Sequence, residues 1–164
     1  MSVKKVYLMS GLPGSGKSTF IHEYRELTDA VISRDAIRFS IVKEDEDYFA
    51  KEDYVFKTFI KEINKALEDE NVERVFIDAT HLTPKARYKV THKLNRENID
   101  EINVIYFNVP VDECIRRNNF RTGRAIVPET VIRNMMKSYR YPTKLEGFNH
   151  IYEANEEGEI IKEV

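Results

Sequence analysis

The pattern Gly11-x4-Gly16-Lys17-Ser18 carries the strongest chemical signal in the sequence. It lies between a run at 3–9 that is typical of a strand and a stretch typical of a helix. Glycines allow the backbone to turn tightly, so that N–H groups point inward at phosphate oxygens, and the following helix adds a positive dipole end. The motif therefore predicts a phosphate-binding loop, here called the P-loop (Gly11–Thr19). The alternative is a glycine-rich turn that binds nothing.

Side chains of the P-loop have separate predicted tasks. Lys17 would supply a point charge to the β- and γ-phosphates of a nucleotide, and Ser18 would offer a hydroxyl to Mg²⁺. The other predicted nucleotide-binding positions are Gly11, Gly14, Ser15, Gly16 and Thr19. The sequence has no Asn-Lys-x-Asp motif for reading guanine, which favours ATP over GTP. We therefore expect ATP and Mg²⁺ as the cofactors.

Asp78 ends an apolar strand pattern at 74–78. An acid at the end of such a strand helps to hold or orient Mg²⁺ in nucleotide sites. We place Asp78 with the substrate-binding residues and leave its exact role open. The alternative is an aspartate that caps a helix or closes a turn.

Asp35 and Arg38 follow a short strand pattern at 30–32. In open α/β sheets, ligands gather beyond the carboxyl ends of the strands, so this pair should lie at the same edge as the P-loop. Residues three apart share one face of a helical turn. Asp35 could accept the proton of an attacking hydroxyl, and Arg38 could hold an anionic part of the acceptor. The alternative is a helix N-cap and a surface ion-pair partner.

A basic segment offers a second set of phosphate ligands. Arg116, Arg117, Arg121 and Arg124 lie in or just before a polar connection that contains Gly123. An arginine over the γ-phosphate stabilises the charge of a loose transition state, and such a loop can close as a lid that excludes water. We predict a lid at about 117–127. The spacing does not single out one arginine, and the alternative is a set of solvated surface arginines.

Length and composition limit the class of protein. The 164 residues, 41% hydrophobic and 33% charged, are typical of a single domain over 1–164. The apolar runs are far shorter than the ~20 residues needed to cross a bilayer, so we expect no membrane association. One cysteine, Cys114, excludes an internal disulfide and favours a cytoplasmic location. The net charge of −2 argues against coating nucleic acid by bulk charge but allows a local basic groove. No protein partner can be inferred.

Alternating strand and helix patterns predict an α/β fold built on a parallel sheet. Strands are predicted at 3–9, 30–32, 74–78, 102–107 and 150–153, with a hairpin arm at 159–161 as an option. Helices are predicted after the P-loop, from Asp35, and at 47–69, 84 onward, 111–120 and 128–139. The helical spacing of five aromatic residues predicts a buried face: Tyr48, Phe49, Tyr54, Phe56 and Phe59.

With these motifs in this order, the chain resembles the kinase domain of the phage-type 5′-hydroxyl polynucleotide kinases, within the P-loop kinase superfamily. The resemblance covers about residues 3–141. It rests on the P-loop, on Arg34-Asp35-x-x-Arg38, on the run from Asp78 to Pro84, and on the segment from Val109 to Ser138. It implies a three-layer P-loop NTPase fold with a five-stranded parallel sheet in the order 2-3-1-4-5, helices on both faces and a lid.

The resemblance also implies transfer of the ATP γ-phosphoryl group to the 5′-hydroxyl end of DNA or RNA. By position, Asp35 matches the general base and Arg38 matches the residue that holds the acceptor's nearby phosphate. Arg121 matches the lid arginine at the transferred phosphoryl group, Arg117 matches a second basic residue beside it, and we add Arg124 as a nucleotide contact. The predicted catalytic residues are thus Lys17, Asp35 and Arg121.

Two alternatives stay open. One is a P-loop kinase for a small molecule such as a sugar, a nucleoside or an amino-acid derivative, which the ten acids at 41–70 favour modestly. The other is a nucleotide-binding switch or interaction protein that turns over slowly. The sequence also departs from the family at His81, where the family usually has asparagine.

Overall fold

The computed structural model describes residues 3–164, which form a three-layer α/β fold. The strands are β1 (Lys4–Ser10), β2 (Asp29–Ser33), β3 (Arg74–Asp78), β4 (Ile99–Phe107), β5 (His150–Ala154) and β6 (Ile160–Glu163). The helices are α1 (Lys17–Tyr24), α2 (Arg34–Ile41), α3 (Glu52–Glu68), α4 (Pro84–Thr91), α5 (Val111–Asn118) and α6 (Glu129–Ser138). Short 3₁₀ turns occur at Arg96–Asn98, Gly123–Ala125 and Lys144–Glu146.

The sheet has six strands in the order β2-β3-β1-β4-β5-β6. The first five are parallel to their neighbours, which confirms the predicted order 2-3-1-4-5. The five strands implied by the resemblance are joined by a sixth, β6, which pairs antiparallel with β5 at the sheet edge and corresponds to the optional hairpin arm at 159–161. All four residues of β6 are exposed, so it carries little of the buried pattern that identifies a strand.

The core lies on both faces of this sheet. On one face, α3 and α4 pack on side chains such as Val6, Leu8 and Ile77. On the other face, α1, α5 and α6 pack on Met9 and Phe107. Because side chains alternate along a strand, β1 supplies apolar groups to both layers and is held firmly at its carboxyl end, where the P-loop begins.

The helix predicted from Asp47 begins five residues later, at Glu52. The side chain of Asp47 accepts a hydrogen bond from the backbone N–H of Phe49, a local turn that competes with helix formation. Tyr48 and Phe49 therefore lie outside the helix, and Phe49 is exposed, so their prediction as core residues was wrong. Phe56 and Phe59 are buried as predicted, whereas Tyr54 is also exposed. The longest helix, α3, has 17 residues, and no helix within residues 3–164 could span a membrane.

Candidate active site

The P-loop connects β1 to α1 and depends on glycine for its path. Gly14 and Gly16 have φ angles of +81° and +100°, in the left-handed region that other residues rarely adopt. A Cβ on Gly14 would also lie 2.4 Å from the carbonyl oxygen of Cys114 on α5. The P-loop can therefore pack against α5 only with glycine at this position. Cys114 itself is fully buried.

Lys17 begins α1 and is only 8% exposed. Its ammonium donates hydrogen bonds to the carbonyl oxygens of Gly11 (2.9 Å) and Leu12 (2.8 Å). Burial lowers the pKa of Lys17, and the carboxylates of Asp78 and Asp35 oppose that shift. An arriving polyphosphate would favour the charged form further. Lys17 is thus held in the loop, within electrostatic range of both acids.

Ser18 and Asp78 form a direct hydrogen bond across the end of the sheet. The hydroxyl of Ser18 donates to Oδ2 of Asp78 at 2.6 Å, and Asp78 is buried. Asp78 is therefore neither a cap of its own following helix, where Thr83 caps α4, nor a surface turn residue. A hydroxyl and a carboxylate are the oxygen ligands that Mg²⁺ takes when nucleotide phosphates and water supply the rest. The pair fits Mg²⁺, and the described residues contain no cluster of three or more His, Cys, Asp or Glu that would hold a metal independently.

Asp35 and Arg38 lie in the first turns of α2, directly after β2. Ser33 caps this helix by accepting a hydrogen bond from the N–H of Ala36, so Asp35 is not the N-cap. Asp35 keeps 60% of its side chain exposed. Its Oδ1 accepts hydrogen bonds from Arg38 (2.8 Å) and from the hydroxyl of Tyr48 (3.0 Å). Within the described chain no hydrogen bond reaches Oδ2, which leaves that oxygen available to a ligand.

Arg38 differs from the open anion receptor that its spacing suggested. Its side chain is only 7% exposed, and one terminal nitrogen contacts both carboxylate oxygens of Glu52 at 2.8 Å. Glu52 also pairs with Arg34. Although burial opposes it, the hydrogen bond from Arg38 and the charges of both arginines hold the pKa of Glu52 below its usual range. Arg38 is consequently a buried ion-pair partner in this conformation, and not a surface one.

Tyr48 and Glu52 complete this network and were missed by the sequence analysis. The guanidinium of Arg38 lies 4.5 Å from the centre of the Tyr48 ring and also donates to its hydroxyl. Burial, with Asp35 nearby, raises the pKa of Tyr48 to about 12, so the hydroxyl stays protonated and donates to Asp35. Helical periodicity suggested a core role for Tyr48. Only the turn before α3 brings it back to α2.

A cleft of about 470 Å³ opens beside the P-loop. The P-loop and α1 form one wall, the end of α5 a second, and the turn between β5 and β6 a third. Of the predicted site residues, the lining includes Gly14, Gly16, Lys17, Ser18, Thr19, Arg117 and Arg121. Gly11 and Ser15 are buried in the P-loop itself. Among the described residues, four predicted site residues do not line the cleft: Asp35, Arg38, Asp78 and Arg124.

Two of the predicted lid arginines face this cleft. Arg117 bonds Glu113, the carbonyl of Gly14 and the carbonyl of Glu156, so it bridges α5, the P-loop and the β5–β6 turn. Arg121 is exposed, and its charge contributes to the lowered pKa of Lys17. Both residues therefore line the cleft beside the P-loop.

Arg124 is placed differently from the prediction. It donates hydrogen bonds to the carbonyl oxygens of Phe39 and Val42, at 2.7 and 2.5 Å, and it lies 4.7 Å from the centre of the Phe39 ring. These carbonyls belong to the last turn of α2, whose free acceptors favour a cation. Arg124 thus joins the lid segment to α2, a role that its spacing in the sequence could not reveal.

The loop after β3 is fixed to the end of β1. His81 has a φ of +43° and bonds the carbonyl of Met9 at 2.6 Å, while Ser10 bonds the carbonyl of His81. Burial lowers the pKa of His81 to about 4, so the ring is neutral. Asparagine tolerates this left-handed backbone conformation. The asparagine that the family usually has at this position would therefore fit the same loop.

The P-loop between β1 and α1, the acid at the end of β3 and the arginines after α5 together define a P-loop kinase domain. The chain belongs to the AAA_33 family, described as an AAA domain, whose model matches residues 6–142. The resemblance noted from the sequence motifs is confirmed at the level of this family and fold.

Solved structures with this fold include proteins of different substrate classes. A chain of the Pnkp1/Rnl/Hen1 complex is 25% identical with a TM-score of 0.60, and the match covers 71% of this chain and 40% of that one. A fungal RNA kinase is 16% identical with a TM-score of 0.65, covering 94% and 75%. A gluconokinase from Sinorhizobium meliloti 1021 is 16% identical with a TM-score of 0.61, covering 94% and 84%. The latter two show the fold alone.

Proposed function

We propose that this protein transfers the γ-phosphoryl group of ATP to the 5′-hydroxyl end of a nucleic acid strand. The observation that carries the proposal is the Asp35–Arg38 couple, which begins α2 at the end of β2 and lies within electrostatic range of Lys17. A P-loop alone would suit a switch or a motor. A carboxylate with one free oxygen at the same edge of the sheet supplies the proton acceptor that hydroxyl phosphorylation requires.

In the proposed reaction, the acceptor oxygen forms a bond to the γ-phosphorus while the bond to the β–γ bridging oxygen breaks. The acceptor proton passes to Oδ2 of Asp35, and the negative charge leaves on ADP. Lys17 moves from the loop carbonyls to the phosphates. Mg²⁺ held by Ser18 and Asp78 would supply further neutralisation of phosphate charge. Catalysis then rests on positioning and on charge stabilisation.

The lid segment (117–127) supports this chemistry from the opposite side. Arg121, with Arg117 beside it, would stabilise charge on the transferred group. The segment is braced at its base, where the side chain of Asn118 bonds both the N–H and the carbonyl of Val127. Arg124 ties the same segment to α2. Closure of the lid would therefore bring nucleotide and acceptor together and exclude water.

A nucleic acid acceptor is favoured by the surroundings of Asp35. Displacement of Glu52 would free the Arg38 guanidinium for a phosphodiester oxygen, and Phe49, 62% exposed, lies 5.8 Å from that guanidinium. An exposed aromatic ring beside a cation is suited to a base that stacks next to a phosphate. The likeness to a chain of the Pnkp1/Rnl/Hen1 complex, 25% identical, supports this choice.

A small-molecule acceptor is the second candidate, and Glu52 favours it. The carboxylate of Glu52 already neutralises Arg38, so an acceptor without any phosphate could use Asp35 alone. Such an enzyme would label a sugar or nucleoside and leave oligonucleotides unlabelled.

The test uses γ-labelled ATP with either a 5′-hydroxyl oligonucleotide or a mixture of sugars, nucleosides and amino-acid derivatives. We expect label on the oligonucleotide; label on a metabolite would select the second candidate, and no labelled acceptor would favour a switch. Asp35→Ala should abolish transfer while ATP affinity stays within about twofold, because Asp35 lies outside the cleft lining. Asp45→Ala, an exposed acid near α2, is the matched control. Full activity of Asp35→Ala would remove Asp35 from the role of base.

A further inference from the structure

Helix α4 and the turn that follows it present an exposed basic stripe that the proposed reaction does not use. Residues 84–96 contain five Lys or Arg and no acid, in a chain whose net charge is −2. Arg87 turns inward and pairs with Glu146. The others are exposed, and no ion pair forms to them among the described residues: Lys85, Lys89, Lys93 and Arg96. Neighbouring acids therefore do not neutralise the mutual repulsion of these four positive charges.

The same face carries an aromatic platform. Lys85, Tyr88, Lys89 and His92 are spaced i, i+3, i+4 and i+7, so they form one row along the helix. The rings of Tyr88 and His92 stack with centres 4.7 Å apart and an interplanar angle of 9°. Tyr88 is 66% exposed. Cations interleaved with an exposed flat ring are the combination that single-stranded nucleic acid binds.

This row is connected to the acceptor side through one aromatic ring. The ammonium of Lys89 lies 4.4 Å from the centre of the Phe56 ring, and the guanidinium of Arg34 lies 5.3 Å from that centre. Arg34 immediately precedes Asp35 and shares Glu52 with Arg38. The basic row of α4 therefore begins one side chain away from the network that holds the proposed base.

We propose that this face of α4 and of the turn after it, from Lys85 to Lys93, is the path of the acceptor strand beyond its reacting end; this rests on the proposed function. At 1.5 Å of rise per residue, Lys85 to His92 span about 10 Å, which corresponds to about three phosphates of a stacked strand. The phosphodiester backbone follows the lysines, and a base stacks on Tyr88. An anionic lipid surface would attract the lysines, but lipid headgroups do not stack on a Tyr88–His92 platform.

The test compares Lys85→Gln/Lys93→Gln with Lys5→Gln/Lys162→Gln, which removes the same charge from β1 and from β6 at the far sheet edge. Binding of a labelled single-stranded 12-mer is measured by fluorescence anisotropy between 50 and 200 mM salt. Losing two phosphate contacts reduces the slope of log affinity against log salt by about 1.4. The ratio of wild-type to variant affinity for the 12-mer should therefore fall about sevenfold between 50 and 200 mM salt. The control pair should match the wild type. Tyr88→Ala should weaken 12-mer binding while leaving the salt slope unchanged.

Phosphorylation of a dinucleotide and of the 12-mer separates this inference from the proposed function. We expect Lys85→Gln/Lys93→Gln to lower kcat/KM for the 12-mer about tenfold and to leave the dinucleotide unaffected. Equal 12-mer binding and slope in the wild type and this variant would overturn the α4 path, even if both acceptors are phosphorylated. If neither acceptor is labelled but 12-mer binding still depends on Lys85 and Lys93, the kinase assignment is refuted and the binding face on α4 stands. Binding to phosphatidylserine vesicles without 12-mer binding would assign the face to lipid and overturn the proposal.

Discussion

Removing the ion pair between Arg38 and Glu52 tests what holds the side-chain network around Asp35 together. Arg38 makes two contacts of 2.8 Å with Glu52, and its side chain is almost wholly buried. Glu52→Ala leaves the guanidinium with only Asp35 and Tyr48 as partners. Arg38→Ala leaves the Glu52 carboxylate with Arg34. Each single change thus leaves one charge with fewer partners, whereas the double variant removes both charges of the pair.

The expected size follows from burial. Breaking a fully buried pair costs about 3–5 kcal/mol, and because the side chain of Glu52 is 33% exposed, water replaces part of what Arg38 provides. We therefore expect Glu52→Ala to lower the free energy of unfolding by about 2 kcal/mol, which lowers Tm by about 4–8 °C in a chain of this length. The coupling energy in the double-mutant cycle should be about 1.5–2 kcal/mol.

The assay is urea unfolding of the wild type, both single variants and the double variant, with Glu62→Ala on the same helix as a control. Kinetics supply a second readout: Glu52→Gln should lower the KM for a dinucleotide acceptor and leave the KM for ATP unchanged, because the carboxylate that competes with an acceptor phosphate for Arg38 is gone. Effects of the two substitutions that add within about 0.5 kcal/mol would show that the pair does not act as a unit, and the reasoning would fail.

Three further predictions concern the P-loop, His81 and Arg124. Gly14→Ala should weaken nucleotide binding at least tenfold, measured by calorimetry. Gly147 has φ +86° and no neighbour within 4 Å of an added Cβ, so Gly147→Ala should add backbone strain and leave nucleotide affinity unchanged. Equal losses of nucleotide affinity in the two variants would show that the contact with Cys114 is not the cause. The lowered pKa of His81, about 4 against 6.5, means that the unfolded state takes up a proton first as pH falls below 6.5, so the free energy of unfolding should drop by about 2 kcal/mol between pH 7 and 4.5. His81→Asn should remove that part of the dependence in urea titrations, and an unchanged pH profile would contradict the assignment. Arg124→Lys should lower kcat with the Kd for ATP unchanged if Arg124 joins the lid to α2, whereas a weakened Kd would restore it as a nucleotide contact.

The order of the five parallel strands could be predicted because each step rests on local pattern and on the resemblance. Apolar runs identify β1 and β3, and Pro84 and Thr83 mark the start of α4. The pattern at 159–161 indicated β6 only as an optional hairpin arm, and the start of α3 was predicted five residues too early. β6 is exposed throughout, and the turn at Asp47 competes with a helix pattern that continues through Tyr48.

Within the candidate site, the sequence supplied the residues on the P-loop but not the partners of the acceptor side. Spacing on one helix predicted the contact between Asp35 and Arg38. Glu52 and Tyr48 come from a different segment, and only the packing of α3 on β2 brings them to Arg38. The lid was predicted as a basic loop, yet the contact of Arg124 with the end of α2 depends on tertiary structure that no periodicity encodes.

The closed network around Arg38 has a consequence for the acceptor. A phosphate that binds Arg38 must displace or share the Glu52 carboxylate, which is intramolecular and therefore always present at high effective concentration. A single phosphate from a mononucleotide competes poorly under that condition. A strand that also engages the lysines and Tyr88 of α4 adds binding energy at a second location, so the exchange at Arg38 becomes favourable. Discrimination between short and long acceptors would then arise from Glu52, and Glu52→Gln should narrow the difference in kcat/KM between a dinucleotide and a 12-mer.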